Sequence, residues 1–245
     1  MNLSTLSLWI CMFLLLIIYI ALCFQVPKKR RPNLDFIHIP KTAGTTIEQV
    51  ALQSGYRWGK HKPVDRKRML YKPRDISRRC SRWHRPYKHI YPKHEYMRKN
   101  NSFCVFRDPV ERLVSEYGHY KRNKKAVDYN NPRDLNVWLR RVLDKSRINA
   151  GNNRDCHLLP QHDFIYDDHN NRVCKHVLSF SNLRHDFNKL MKEKGIAVDL
   201  GDARMNKSQV TLTAKDIDAK NMAKIRQLYK KDYHFMYHEL YSKNK

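Results

Sequence analysis

Apolar positions along this chain fall into three patterns. One unbroken apolar run covers residues 7–24. Short runs rich in β-branched and aromatic residues occur at 34–39, 103–107, 164–166 and 176–180, and each reads as a strand. Between and after them, apolar residues recur at helical spacing. Residues 134–145 place Leu135, Trp138, Leu139, Val142 and Leu143 on one face, with Asp134 as N-cap. Residues 182–195 carry Leu183, Phe187, Leu190 and Met191 on one face and stop at Gly195. Residues 216–233 give a closing helix with Met222, Ile225, Leu228 and Tyr229. Strands alternating with helices predict an α/β domain on a parallel sheet. Residues 56–101 break the pattern. They are basic, contain proline and show little period, so they read as a long excursion between two strands, where such folds often carry function.

The run at 7–24 reaches the roughly 18 residues at which an apolar stretch becomes a candidate membrane helix. It divides the chain into a short tail (1–6), a transmembrane signal anchor (7–24), a basic stem (25–33) and a domain (34–245). A cleaved signal peptide is the alternative. The tail has no Lys or Arg and Ala21-Leu22-Cys23 is only a fair cleavage site, so the anchor is favoured. Lys28, Lys29, Arg30 and Arg31 follow the run, against the positive-inside rule for a luminal domain, but that rule weakens for long translocated domains.

Charge narrows the partner. The formal net charge of +26 in 245 residues lies wholly beyond the apolar run, since no charged side chain precedes Lys28. Such a domain seeks polyanions: nucleic acid, an anionic membrane or an acidic polysaccharide. The six cysteines form no CxxC, and no Cys/His set has zinc spacing. Cys104 lies inside a strand and is expected to be buried. In a luminal domain Cys156 and Cys174 are candidates for a bridge. Asn100 and Asn206 are glycosylation acceptors by sequence.

Two segments carry candidate chemistry. In the first, a strand runs into Pro40, Lys41, Thr42, Ala43, Gly44, Thr45 and Thr46 and re-enters a helix. A Walker A loop has its lysine after the second glycine, whereas here the lysine comes first. The physics of anion binding still applies: backbone N–H groups and a helix N-terminus form the cradle, Gly44 allows close approach, Thr45 and Thr46 add hydroxyls and Lys41 adds charge. In the second segment a strand ends at Arg107, Asp108 caps a helix, Pro109 takes its first position and Glu111 completes a capping box. Val110, Leu113, Val114 and Tyr117 form the buried face. Arg107 and Ser115, about two turns apart, are placed to hold a second phosphate.

The pairing of PKTAGTT (40–46) with FRDPVERLVSEY (106–117) resembles the nucleotide-binding motifs of the Golgi membrane-bound carbohydrate sulfotransferases. Weaker similarities follow at 159–167, 177–190 and 205–208 and in the aromatic end of the chain. The resemblance implies a P-loop nucleotide-kinase-like parallel sheet flanked by helices, a single-pass Golgi membrane protein with a luminal domain, and 3′-phosphoadenylyl sulfate (PAPS) as donor. It assigns the 5′-phosphosulfate to 40–46 and the 3′-phosphate to Arg107 and Ser115. The family often has an acidic residue where Ser181 stands, so that carboxylate is absent or moved. The acceptor it implies is a carbohydrate hydroxyl, and the charge favours an already acidic glycan. No metal or nucleic acid is expected to be required.

Sulfuryl transfer needs a base for the acceptor proton and cationic help at the leaving oxygen. Lys41 suits the second task. Candidate bases are His61, His84, His89 and His94. His84 is favoured because Trp83 and the Arg85-Pro86 pair fix its direction, because a Trp-His-x-Pro element looks like the base-bearing loop of related enzymes, and because its cationic neighbours disfavour the imidazolium. His119 and Glu116 are weaker alternatives. Two other functions remain open: a kinase of the same fold class, and a membrane-tethered polyanion-binding protein without catalysis.

Overall fold

The computed structural model describes residue 12 and residues 33–62, 80–86, 101–122, 128–144, 154–203 and 209–242. The expected anchor (7–24, Met12 apart), most of the stem, His89, His94, Asn100, Asn206 and the 205–208 segment lie outside them. Among the described residues no helix is long and apolar enough to cross a membrane.

Three parallel strands form the sheet in the order β1 (Asp35–Phe36), β2 (Ser102–Phe106), β3 (His176–Ser179). Asp35 pairs with Ser102, Phe103 with His176 and Phe106 with Ser179. Parallel neighbours need long crossovers. Helix α1 (Gly44–Gln53) and the excursion make the first. Helices α2 (Pro109–Lys121), α3 (Pro132–Val142) and the short α4 (His162–Ile165) make the second. After β3 come α5 (Leu183–Glu193), α6 (Ala219–Leu228) and α7 (Lys230–Phe235). The central strand β2 is buried along its whole length, as a strand covered on both faces must be. Its alternation divides the core. Phe103 and Val105 pack with Ile47 of α1, Trp58 and Phe187 of α5, while Cys104 and Phe106 pack with Leu113 and Tyr117 of α2, Leu139 of α3 and Phe235 of α7.

Several expected elements change in detail. Residues 164–166 are not a strand. Phe164 and Ile165 lie in the single turn of α4, whose entrance is held by Asp232, accepting from the N–H groups of Gln161 (2.9 Å) and His162 (2.8 Å). A short apolar run does not by itself separate a strand from a buried helical turn. Helix α3 starts earlier than expected, with Asn131 as N-cap accepting from Arg133 and Asp134, and Asp134 turns to Lys121 at 2.7 Å. The closing helix breaks at Tyr229 into α6 and α7. Asp108 caps α2 as expected, but Glu111 turns to the Arg107 guanidinium (3.3 Å) instead of completing the box.

The disulfide also differs. Cys156 bridges to Cys80, not to Cys174. Arg154, Asp155 and Cys156 all take left-handed backbone conformations (φ 51°, 59° and 64°), and the bridge joins this turn to the 80–86 segment. Cys174 is instead a buried free thiol in the core that also holds Cys104, which is buried as expected.

Candidate active site

In a parallel sheet every strand ends on the same edge, and each strand here delivers part of a site at its carboxyl end. β1 leads through His38 into the 40–46 loop, β2 leads to Arg107, and β3 leads to Phe180.

The loop turns on two left-handed residues, Lys41 and Ala43, both at φ 69°. Neither is glycine, so the turn costs about 1–2 kcal/mol at each. Between them Thr42 is fully buried, and its Oγ1 donates to the Ile39 carbonyl at 2.8 Å. Thr42 therefore holds the turn closed. Ala43 caps α1 through its backbone, Thr45 is half-buried, and Thr46 is buried in the first turn. Gly44 is required for a reason beyond anion approach: a Cβ there would fall 2.1 Å from Nε2 of His38. That ring is fixed from behind by Glu48, whose Oε1 lies 2.7 Å from His38 Nδ1 and accepts from the Lys60 N–H at 3.0 Å.

Lys41 lies in a crowded charged region. Burial pushes its ammonium down to about 8; the Glu116 carboxylate opposes this, while Arg122 and Arg107 reinforce it. Arg107 reaches the loop directly, donating from Nη1 to the Lys41 carbonyl at 3.4 Å, and its guanidinium lies 4.1 Å from the centre of the Phe180 ring. The backbone of Arg107 is clamped by Gln161, which accepts from its N–H (3.0 Å) and donates to its carbonyl (2.7 Å). Arg112, buried beneath the loop, donates to the carbonyls of Pro40 and Leu159. Ser115 is half-buried on α2, next to Glu116. At the Ser181 turn the Asp186 carboxylate accepts from the Ser179 N–H at 3.2 Å and from Asn182 Nδ2 at 2.7 Å.

His84 sits in the turn Arg82–His84, brought to the same edge by the Cys80–Cys156 bridge. Its ring meets His38 edge-on at 4.6 Å and His157 at 4.9 Å. Its Nδ1 lies 2.8 Å from Oδ2 of Asp155, whose carboxylate also accepts from the Ser81 N–H and hydroxyl. Those bonds overcome the upward push of burial and hold Asp155 down at about 2. Burial lowers the His84 pKa, against the opposing pull of Asp155. The expectation of cationic neighbours is thus corrected. Arg82 and Arg85 turn to the carbonyls of Lys62 and Cys80, and the group touching the imidazole is a carboxylate.

Sequence reasoning missed His38, Glu48, Asp155 and His157. His157 Nδ1 lies 2.6 Å from Glu116 Oε2, and Arg154 donates to Oε1 of the same carboxylate at 2.9 Å. Burial alone would raise Glu116, but these partners bring it below its ordinary value. A carboxylate so engaged is a poor free base. His119 lies beside this group, its ring 5.5 Å from that of His157. His61 is in the separate turn Gly59–His61. The available signal was the pair of polar residues flanking Cys156; no pattern in the sequence tied them to residues near 80.

These groups set a buried lysine and an arginine at one loop beside a carboxylate-oriented imidazole, side chains of the kinds that electrostatic and acid–base catalysis use. Comparison with family models agrees: residues 28–238 match the sulfotransferase family, and the chain belongs to that family. No curated protein and no solved structure matches it.

Proposed function

We propose that this chain transfers a sulfuryl group from PAPS to a hydroxyl of a carbohydrate by in-line displacement. The observation that carries the reading is that Arg107 reaches the Lys41 loop at the carboxyl edge of the sheet, while His84 packs edge-on against His38, which enters that loop and abuts the start of α1. In this reading the fold is of the P-loop nucleotide-kinase kind. Loop 40–46 holds the 5′-phosphosulfate, with Thr42 shaping the loop and Lys41, Thr45 and Thr46 facing the donor. Arg107 and Ser115 hold the 3′-phosphate.

The acceptor hydroxyl gives its proton to Nε2 of His84 while Asp155 keeps Nδ1 engaged. The acceptor oxygen bonds to sulfur as the bridge from sulfur to the 5′-phosphate breaks. Lys41 stabilises the charge that develops on the departing phosphate oxygen. The step needs no metal, because lysine, arginine and backbone dipoles supply the compensation. The charge of +26 suits an acidic glycan acceptor. The Cys80–Cys156 bridge suits an oxidising compartment, and with the apolar run at 7–24 it supports a Golgi membrane protein whose domain is luminal.

The test is transfer of radiolabelled sulfate from PAPS to a panel of glycans, with linkage analysis of the product. Binding to immobilised 3′-phosphoadenosine 5′-phosphate (PAP) and ATP, with and without Mg²⁺, runs beside it. Preference for ATP with Mg²⁺ and no labelled glycan would overturn the reading.

A further inference from the structure

Three histidines of the site share one arrangement. His38, His84 and His157 each direct Nδ1 to a carboxylate, that of Glu48 (2.7 Å), Asp155 (2.8 Å) and Glu116 (2.6 Å) respectively. A carboxylate behind an imidazole is the usual outer support of a metal-ligating histidine, because it fixes the ring and makes the other nitrogen a better donor; Glu116 stands in that place behind His157. At one point such groups also converge. A ring nitrogen of His84, a ring nitrogen of His157 and a carboxylate oxygen of Asp155 lie within 4.8 Å of one another. Two imidazoles and one carboxylate suit a borderline first-row ion, and three protein ligands leave a coordination position for water. The surroundings are already held in place. Asp155 is fixed by Ser81, His157 by Glu116, Glu116 by Arg154, and the two segments by the Cys80–Cys156 bridge.

We infer that His84, Asp155 and His157 form a binding site for a divalent transition-metal ion of the zinc class, and that an ion held there silences the base. The inhibitory half rests on the assignment of His84 as base; the binding half does not. An ion bonded at Nδ1 of His84 takes the lone pair of the other tautomer, so the single ring proton that was shared with Asp155 now sits on Nε2. An ion bonded at Nε2 consumes the lone pair itself. In either case the imidazole has no lone pair for the acceptor proton, which stays on the acceptor hydroxyl.

The test is titration of the chelator-treated full chain with CoCl₂, followed by visible absorption and calorimetry. The expected result is one saturable site with ligand-field bands that Zn²⁺ abolishes by displacement. His157→Gln and Asp155→Asn should each weaken Co²⁺ binding by roughly tenfold or more. His185→Gln, at an exposed position on α5, should leave it unchanged. Sulfate transfer should fall as Zn²⁺ fills the site and return when EDTA is added. Absence of a saturable Co²⁺ site, or a site indifferent to Asp155→Asn, overturns the proposal. The Asp155 side chain is 36% exposed, so its variant carries the test even if His157→Gln fails to fold. Zn²⁺ that fills the site without slowing transfer refutes the inhibitory half. A chain that binds Co²⁺ in this way but transfers no sulfate refutes the sulfuryl-transfer reading and leaves the metal site standing.

Discussion

His84 serves as a base only if one nitrogen is occupied and the other is directed at the acceptor. Asp155 meets the first condition, and the edge-on rings of His38 and His157 restrict the plane of the imidazole. His84→Ala should therefore lower transfer by about 10²–10⁴-fold. PAP affinity measured by calorimetry should stay near wild type, with His61→Ala as the control. If Arg107 holds the 3′-phosphate, remote from the reacting sulfur, Arg107→Ala should raise the KM for PAPS and weaken PAP by roughly 1.5–3 kcal/mol. A variant that binds PAP as tightly as wild type would dismiss the 3′-phosphate assignment. Lys41, Arg107 and Asp108 were legible because each sits in a local strand–turn–helix pattern. Asp155 and His157 were not. Their roles depend on partners at Ser81, His84 and Glu116, roughly 40 to 75 positions away in the chain, and short-range periodicity does not encode such pairings.

Elements fix these residues through two joints. The first is the contact between the His38 ring and Gly44, which seats α1 against the end of β1. Gly44→Ala should force the ring off Glu48 and destabilise the domain by about 1–3 kcal/mol, the usual cost of overpacking, read as a lower urea midpoint. The second joint is the Cys80–Cys156 bridge, which spans 76 positions. Replacing both cysteines by serine should cost about 2–4 kcal/mol and reduce transfer more than PAP binding, because it releases the segment carrying His84 and not the anion loop. The long helices were readable from their apolar spacing, and their buried faces are the expected ones. The short elements were harder. Residues 164–165 are apolar and buried in either conformation, and it is Asp232, far along the chain, that makes them a helical turn.

At the scale of the whole molecule, Asp232 ties the C-terminal helices to the middle of the chain. It is fully buried, and burial pushes its carboxyl up to about 6, although Arg112 and two backbone N–H groups favour the anion. An unfolded aspartate titrates near about 3.9. Below that value both states hold the proton and the contribution to stability is complete. As pH rises from about 4 to 6 the unfolded chain gives up its proton first, so this contribution is lost across that window. Urea unfolding of the full chain should show the decline, and Asp232→Asn should flatten it. The Cys80–Cys156 bridge also sets an order of events during synthesis. Cys80 leaves the ribosome 76 residues before its partner, an interval of roughly 4–15 s at ordinary elongation rates. Cys104 emerges within that interval as an available thiol, and only its burial in β2 takes it out of competition. Burial of Cys104 in β2 before oxidation would therefore favour the Cys80–Cys156 pairing that carries the turn of His84.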